Sequence, residues 1–97
     1  MKVLIVGSNG FLGSHIKSIL NNEYEYEVLE ITGKDQIDIT KYDYLDEYLS
    51  KSRPDVVINC AAFVGGISYG YKYPARMLYE NSLMAINLYN ASQKNKV

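Results

Sequence analysis

Three glycines near the amino terminus stand at a spacing that suits the binding of a phosphate group. Gly7, Gly10 and Gly13 follow an apolar run, residues 3–6, and precede a segment with helical periodicity. Glycine lets the chain turn tightly and lets an anion approach the backbone, while the free N–H groups of a helix start attract negative charge. The spacing is G-x-x-G-x-x-G rather than the general G-x-G-x-x-G fingerprint. Because it directly follows a buried-type strand, we interpret it as a nucleotide-binding turn.

The residues between these glycines belong to the same predicted site. Ser8 and Asn9 either reach the phosphate or cap the following helix, and the sequence favours neither alternative. Phe11 and Leu12 open that helix, where backbone N–H groups lack a partner within the helix. We therefore predict that the whole segment from Gly7 to Gly13 binds a cofactor, and we assign no catalytic or metal-binding role within it.

Hydrophobic periodicity places this turn in an alternation of strands and helices. Strands are predicted at residues 2–6, 27–31, 37–39 (a brief one) and 56–60, and helices at about 10–21, 41–52 and 74–94. A capping box of Thr40 and Asp43 would open the second helix, and residues 63–73 read as a Gly/Tyr loop. This order predicts an α/β fold with a Rossmann-like, doubly wound parallel sheet, truncated after about four strands.

Each predicted helix carries an apolar stripe that would face the sheet. The stripes comprise Leu12, Ile16, Ile19 and Leu20 in the first helix, Tyr42, Leu45, Tyr48 and Leu49 in the second, and Met77, Asn81, Met84, Leu88 and Ala91 in the last.

Length and composition limit the protein to one small domain. The chain has 97 residues, 47% of them hydrophobic, a net charge of −1 and one cysteine, Cys60. Such a balance predicts no nucleic-acid or membrane partner, and a reducing, cytoplasmic location. The last predicted strand would form an uncovered sheet edge. We therefore expect residues 1–97 to be part of a larger protein whose substrate domain is absent, and we expect homo-oligomers.

Four segments together resemble the extended short-chain dehydrogenase/reductases, the family of NAD-dependent sugar-nucleotide epimerases and dehydratases. They are residues 7–15, Asp38-Ile39-Thr40, residues 54–62 and residues 81–88. The resemblance implies that Asp38 and Ile39 lie at the adenine of the cofactor. It also implies that Ala61 and Ala62 form a small-residue turn beside the cofactor.

Within the family, the segment 64–67, Val-Gly-Gly-Ile, is most similar to the GDP-L-fucose synthase branch, as are residues 73–75 and 79–81. That likeness implies NADP as cofactor, with NAD possible, and a GDP-4-keto-6-deoxymannose as the nucleotide-sugar substrate. Thr32, or Glu30 in another register, would stand at the ribose. Lys34 either pairs with the 2′-phosphate of NADP or is simply solvated.

The residues that carry the family's chemistry are not in this sequence. The family pairs a tyrosine with a lysine four positions later, and no lysine of this chain has a tyrosine four positions before it. We therefore predict that the chain binds cofactor without catalysis. Two alternatives stay open: a dTDP-4-dehydrorhamnose reductase-like parent enzyme and a non-catalytic dinucleotide-binding module.

Overall fold

The computed structural model describes residues 1–62 and 67–97, and for residues 67–69 it describes the backbone alone. In those residues the strands are Lys2–Val6 (β1), Glu27–Ile31 (β2) and Val56–Asn59 (β3). The helices are Phe11–Glu23 (α1), Tyr42–Ser52 (α2), Ile67–Lys72 (α3) and Pro74–Lys94 (α4). The predicted strands at the start of the chain and at residues 27–31 are confirmed, as is the long last helix.

The three strands form one parallel sheet in the order β2-β1-β3. Val6 at the end of β1 is level with Ile31 of β2 and with Asn59 of β3. The carboxyl ends of all three strands therefore meet at one edge, and the strand order reverses beside β1, where ligands bind in sheets of this kind. The predicted Rossmann-like α/β fold is confirmed.

The prediction of a brief strand at residues 37–39 is wrong, so the described sheet has three strands rather than about four. The Asp38 carboxylate accepts hydrogen bonds from the backbone N–H and the hydroxyl of Thr40. These local bonds fold the backbone into a turn instead of leaving it extended.

Two further predictions need correction. The capping box is wrong because Thr40 is engaged with Asp38; the N-cap of α2 is Lys41, with no side-chain cap. The predicted loop over 63–73 is wrong in its second part, since residues 67–72 are helical, and its first part lies outside the described residues.

The main core lies between the sheet and the pair α2 and α4. Its buried members are Leu4, Val6, Ile31, Ile39, Leu45, Leu49, Leu88 and Ala91. The predicted apolar stripe of α2 is confirmed, with Leu45 and Leu49 fully buried. The stripe of α4 is confirmed for Leu88 and Ala91, and it includes a buried residue that the stripe prediction omitted, Asn87.

The predicted stripe of α1 is wrong at two of its four positions, while Ile16 and Leu20 are half-buried. Leu12 is 59% exposed and Ile19 is 49% exposed, and Gly13 is the buried residue of the helix. Where the helix begins, Gly13 lies against the backbone of Gly7 and Ser8 in the glycine turn. The last predicted strand was expected to lie at an uncovered edge of the sheet. The structure agrees, since β3 is an edge strand and its first residue, Val56, is exposed.

Candidate functional site: the cleft at the glycine turn

The glycine turn is fixed to the carboxyl edge of the sheet by backbone hydrogen bonds. The N–H of Gly7 donates to the carbonyl of Ile31, the last residue of β2, at 2.8 Å. The N–H of Gly10 donates back to the carbonyl of Gly7 at 3.2 Å. Because Gly7 has a φ of +82°, in the left-handed region, glycine is the favoured residue there.

Two of the three glycines occupy positions with no space for a side chain. A Cβ on Gly7 would lie 2.7 Å from the carbonyl carbon of Cys60, beyond the end of β3. A Cβ on Gly13 would lie 2.2 Å from the carbonyl oxygen of Gly7. The missing side chains therefore let the turn lie against β3 and let α1 start directly on the turn.

The amino terminus of α1 is left open by its own sequence. Its N-cap is Gly10, and no side chain forms a capping hydrogen bond there. Neither Ser8 nor Asn9 therefore caps this helix. The N–H groups of the first helical turn have no acceptor within a helix, and together with the helix dipole they favour a bound anion.

A cavity of about 310 Å³ opens beside this turn at the carboxyl edge of the sheet. Seven residues predicted to bind cofactor line it, namely Gly7, Gly10, Lys34, Asp38, Ile39, Ala61 and Ala62. The other five do not line it: Ser8 and Gly13 are buried, and Asn9, Phe11 and Leu12 are exposed at the turn and the helix start. A cofactor role for these twelve residues stays a prediction.

The helix α4 closes one side of the cavity with residues that sequence reasoning did not assign to the site. Arg76, Glu80 and Met84 line it, at positions four apart on the helix. A spacing of four places side chains on one helix face, so this signal was readable once the helix was placed. Cys60 also lines the cavity, just beyond β3.

Asp38 is held as a carboxylate by its turn. Its Oδ1 accepts a hydrogen bond from the hydroxyl of Thr40 at 2.5 Å and another from the backbone N–H of Thr40 at 3.0 Å. The Thr40 hydroxyl is the main cause that lowers the pKa of Asp38 below its ordinary value. Its Oδ2 lies 3.9 Å from the Nζ of Lys34, a long contact that leaves this oxygen able to accept from a ligand.

Lys34 reaches from the cavity wall into solvent. Its side chain is 77% exposed, and its pairing with Asp38 is weak at the observed distance. An exposed, loosely paired ammonium group can rotate toward a phosphate at modest cost.

A second charged group lies on the α1 face. Glu30 of β2 pairs with Lys17 of α1 at 3.1 Å, and it is not among the residues of the cavity wall. The buried hydroxyl of Ser8 reaches no described acceptor within hydrogen-bond geometry. It still faces Glu30 closely enough to be the main cause that lowers the pKa of that carboxyl, followed by Lys17. Ser8 and Lys17 thus flank an ionised Glu30 beneath the glycine turn.

The described part of the chain contains no group of three or more metal-ligating side chains. Within the same residues, no helix is long and apolar enough to cross a membrane.

A parallel sheet with a glycine turn between its central strand and the first helix defines a Rossmann-like α/β domain. Residues 3–97 match the family described as the NAD dependent epimerase/dehydratase family. The chain belongs to this family. The resemblance to sugar-nucleotide epimerases and reductases is thereby confirmed.

Particular relatives agree with that assignment. The chain is similar to a GDP-L-colitose synthase of Yersinia pseudotuberculosis, with 31% identity over 97 residues, 100% of this chain and 31% of the relative. It is similar to a GDP-L-fucose synthase of Sinorhizobium fredii, with 31% identity over 99% of this chain and 30% of the relative.

A solved structure shows the same arrangement. A dTDP-4-dehydrorhamnose reductase of Bacillus anthracis, in complex with NADP, superposes with a TM-score of 0.86 at 30% identity, covering 99% of this chain and 34% of that one. The chain spans about a third of the length of the relatives it matches.

Proposed function

We propose that this chain is the amino-terminal cofactor-binding part of an NAD(P)-dependent nucleotide-sugar epimerase/reductase of the GDP-4-keto-6-deoxymannose type. The observation that supports this most is one cavity that joins the glycine turn to Asp38, Ile39, Ala61 and Ala62. These segments are distant in sequence, and each resembles a cofactor segment of the family. The domain assignment, residues 1–97 as a partial dinucleotide-binding domain without its substrate domain, is part of this proposal.

The cofactor would bind along the carboxyl edge of the sheet. Its pyrophosphate would lie on the N–H groups between Gly10 and Gly13, and its adenine against Asp38 and Ile39. The positions of Gly7 and Gly13 support this role, since a Cβ on Gly7 would push the turn away from Cys60 and a Cβ on Gly13 would push α1 away from the turn. The bound dinucleotide supplies the hydride for reduction of a keto sugar, and these residues would orient it.

We propose NADP rather than NAD as the preferred cofactor. Glu30, the last acidic residue of β2, is paired with Lys17 and does not line the cavity, so it is badly placed for the ribose hydroxyls that favour NAD. Thr32 and Lys34 do line the cavity. A lysine there favours the 2′-phosphate of NADP.

The chemistry itself would be supplied by residues outside this sequence. The sequence has no Tyr-x-x-x-Lys pair, so we propose that it binds cofactor and is inactive alone. The parent enzyme would be cytoplasmic and would act as an oxidoreductase and isomerase. Self-association is supported by four exposed large hydrophobic side chains on α4, those of Leu78, Tyr79, Ile86 and Tyr89.

The test compares NADPH and NADH binding in charge-reversed variants of two exposed lysines. Lys34→Glu should weaken NADPH binding by about tenfold or more, because it replaces a charged contact with repulsion, and should leave NADH binding within about twofold. Lys51→Glu is the matched control: Lys51 is similarly exposed, pairs with Glu47 and does not line the cavity. Calorimetric titration measures both affinities.

Two results would count against the proposal. If the unsubstituted 97-residue chain binds neither nucleotide up to millimolar concentration, the cofactor site itself is contradicted. If Lys34→Glu weakens NADH as much as NADPH, the preference for NADP does not come from this residue.

A second candidate is a dTDP-4-dehydrorhamnose reductase-like parent enzyme. The NADP-bound Bacillus anthracis reductase, similar over 99% of this chain, favours it. Extending the reading frame beyond Val97 and assaying the product with GDP- and dTDP-linked 4-keto sugars would distinguish the two.

A further inference from the structure

Asn87 is a buried polar residue in the middle of α4, where the neighbouring core positions are apolar. It is 7% exposed, and together with Ser8 it makes up the buried polar residues of the described chain. Its side-chain Nδ2 donates to the backbone carbonyl of Ile39 at 2.9 Å, across 48 positions of sequence. Burying a side-chain amide lowers the stability of the fold unless the amide forms a hydrogen bond.

The acceptor of this bond belongs to a cavity wall, which we call the Asp38 turn, residues 37–40. All four of its residues line the cavity. The turn is closed internally by the bonds from Thr40 to Asp38 and by the N–H of Lys41, which donates to the carbonyl of Asp38 at 3.0 Å. These bonds fix its shape without fixing where it stands relative to the rest of the cavity.

The helix that carries Asn87 also forms a wall of the cavity. Met84 lines the cavity one turn earlier, and Leu88 and Ala91 pack into the core beside Ile39. The carboxyl end of α4 is in turn tied to α2, through Lys94 and Asn95, which both donate to Asp46. The bond from Asn87 to Ile39 therefore sets the distance between two walls of one cavity.

Packing alone does not require an amide at this position. An apolar side chain of similar size could be buried at this position, as that of Leu88 is at the next one. It would, however, leave the carbonyl of Ile39 without this donor. Apolar contacts are not directional, whereas a hydrogen bond constrains both distance and angle. The amide of Asn87 therefore fixes the position of Ile39, whereas the apolar neighbours of Asn87 stabilise the core by being buried.

We propose that Asn87 is a positioning residue for the adenine end of the nucleotide: it holds the Asp38 turn at the place where Asp38 and Ile39 can meet the base. It touches no ligand itself. This inference rests on the proposed function of the cavity. It predicts that loss of the amide weakens adenine nucleotides selectively, because the pyrophosphate cradle at Gly10–Gly13 belongs to the other side of the sheet edge.

The experiment compares Asn87→Leu with Ala91→Gly in the full 97-residue chain. Ala91 is fully buried on the same helix and does not line the cavity, and glycine there costs about 1 kcal/mol of helix stability while keeping the bond from Asn87 to Ile39. Titration calorimetry with AMP and with inorganic pyrophosphate measures the two halves of the site. Asn87→Leu should weaken AMP roughly 5- to 30-fold and pyrophosphate less than about threefold. Ala91→Gly should change both by less than about threefold.

A second readout needs no ligand. Hydrogen exchange at the N–H groups of Thr40 and Lys41, which close the Asp38 turn, should become faster in Asn87→Leu than in Ala91→Gly. If Asn87→Leu does not fold, Asn87→Ser replaces it, because its short hydroxyl cannot span the distance to Ile39.

The outcomes separate this inference from the proposed function. If the unsubstituted chain binds neither AMP nor pyrophosphate, the proposed function fails and this inference fails with it. If the unsubstituted chain binds both, and the Asn87 variant keeps its AMP affinity or loses both affinities equally, the inference alone is overturned. Unchanged exchange at Thr40 and Lys41 would overturn it as well.

Discussion

The two faces of the sheet are held together in different ways. On the face of α2 and α4, large side chains are fully buried, among them Leu45 and Leu49, and hydrogen bonds join distant segments. On the face of α1, the helix buries one residue, Gly13, and leaves Leu12 and Ile19 about half exposed or more. Both faces bury side chains of the sheet, since Val3 and Ile5 of β1 are buried outside the α2 and α4 core, but only α2 and α4 bury large side chains of their own, whereas α1 fully buries only Gly13, at the turn.

This difference bears on function because the cavity lies where the two faces meet. The α2 and α4 side supplies a wall with fixed side chains, such as Asp38 and Met84. The α1 side supplies a cradle made from backbone. Its close packing depends on the absence of side chains at Gly7 and Gly13. Substitutions on the two faces should therefore damage stability and binding in different proportions.

The largest expected effect is on the well-packed face. Leu45→Ala removes a fully buried side chain and should lower the free energy of unfolding by about 2–5 kcal/mol. Ile19→Ala on α1 should cost less than about 1 kcal/mol, because Ile19 is 49% exposed. Urea denaturation monitored by circular dichroism measures both. Equal losses would contradict the comparison between the faces.

A smaller loss of stability, with a larger loss of binding, is expected at the backbone cradle. Gly13→Ala places a Cβ 2.2 Å from the carbonyl oxygen of Gly7, and the resulting shift should cost about 1–3 kcal/mol and abolish nucleotide binding. Gly70→Ala is the control, since Gly70 does not line the cavity and a Cβ there meets only the sulfur of Met77, at 3.5 Å, an ordinary contact. A Gly13→Ala variant that binds nucleotide normally would show that the close approach of α1 is not needed.

The smallest expected effect concerns the acid side of the pH profile. Because the folded pKa of Asp38 lies below its ordinary 3.8, this carboxylate contributes stability above that pH and loses it as the pH falls through the folded pKa. Thr40→Val removes the main cause, so the pKa of Asp38 should rise toward its ordinary value. The free energy of unfolding should then fall less steeply between about pH 5 and pH 2. An unchanged slope would show that Thr40 is not the cause.

The parts of the fold that follow from local pattern were predictable from sequence. The apolar run of β1, the alternation of elements and the periodicity of α2 and α4 each depend on neighbouring residues, and the structure agrees with them. The glycine turn was predictable because strand, glycines and helix follow one another directly. Its role at the cofactor remains a prediction.

The remaining features depend on contacts that local sequence does not encode. The turn at Asp38 follows from a side-chain hydrogen bond that competes with extended backbone, so an apolar-acidic-apolar segment reads falsely as a strand. The exposure of Leu12 and Ile19 depends on what packs over α1, and periodicity is silent on that. The bond from Asn87 to Ile39 joins residues 48 positions apart, and only the tertiary fold brings them together.

We propose that a dinucleotide binds at the carboxyl edge of the sheet, between the glycine turn and the Asp38 turn. A titration of the ¹⁵N-labelled chain with NADP⁺, followed through its amide resonances, tests this directly. We expect saturable shifts at residues 7–13, 34–40 and 60–62, and none at the carboxyl end of α4 beyond Ala91. Shifts confined to α4 and the β3 edge, or no shifts at millimolar NADP⁺, would contradict it.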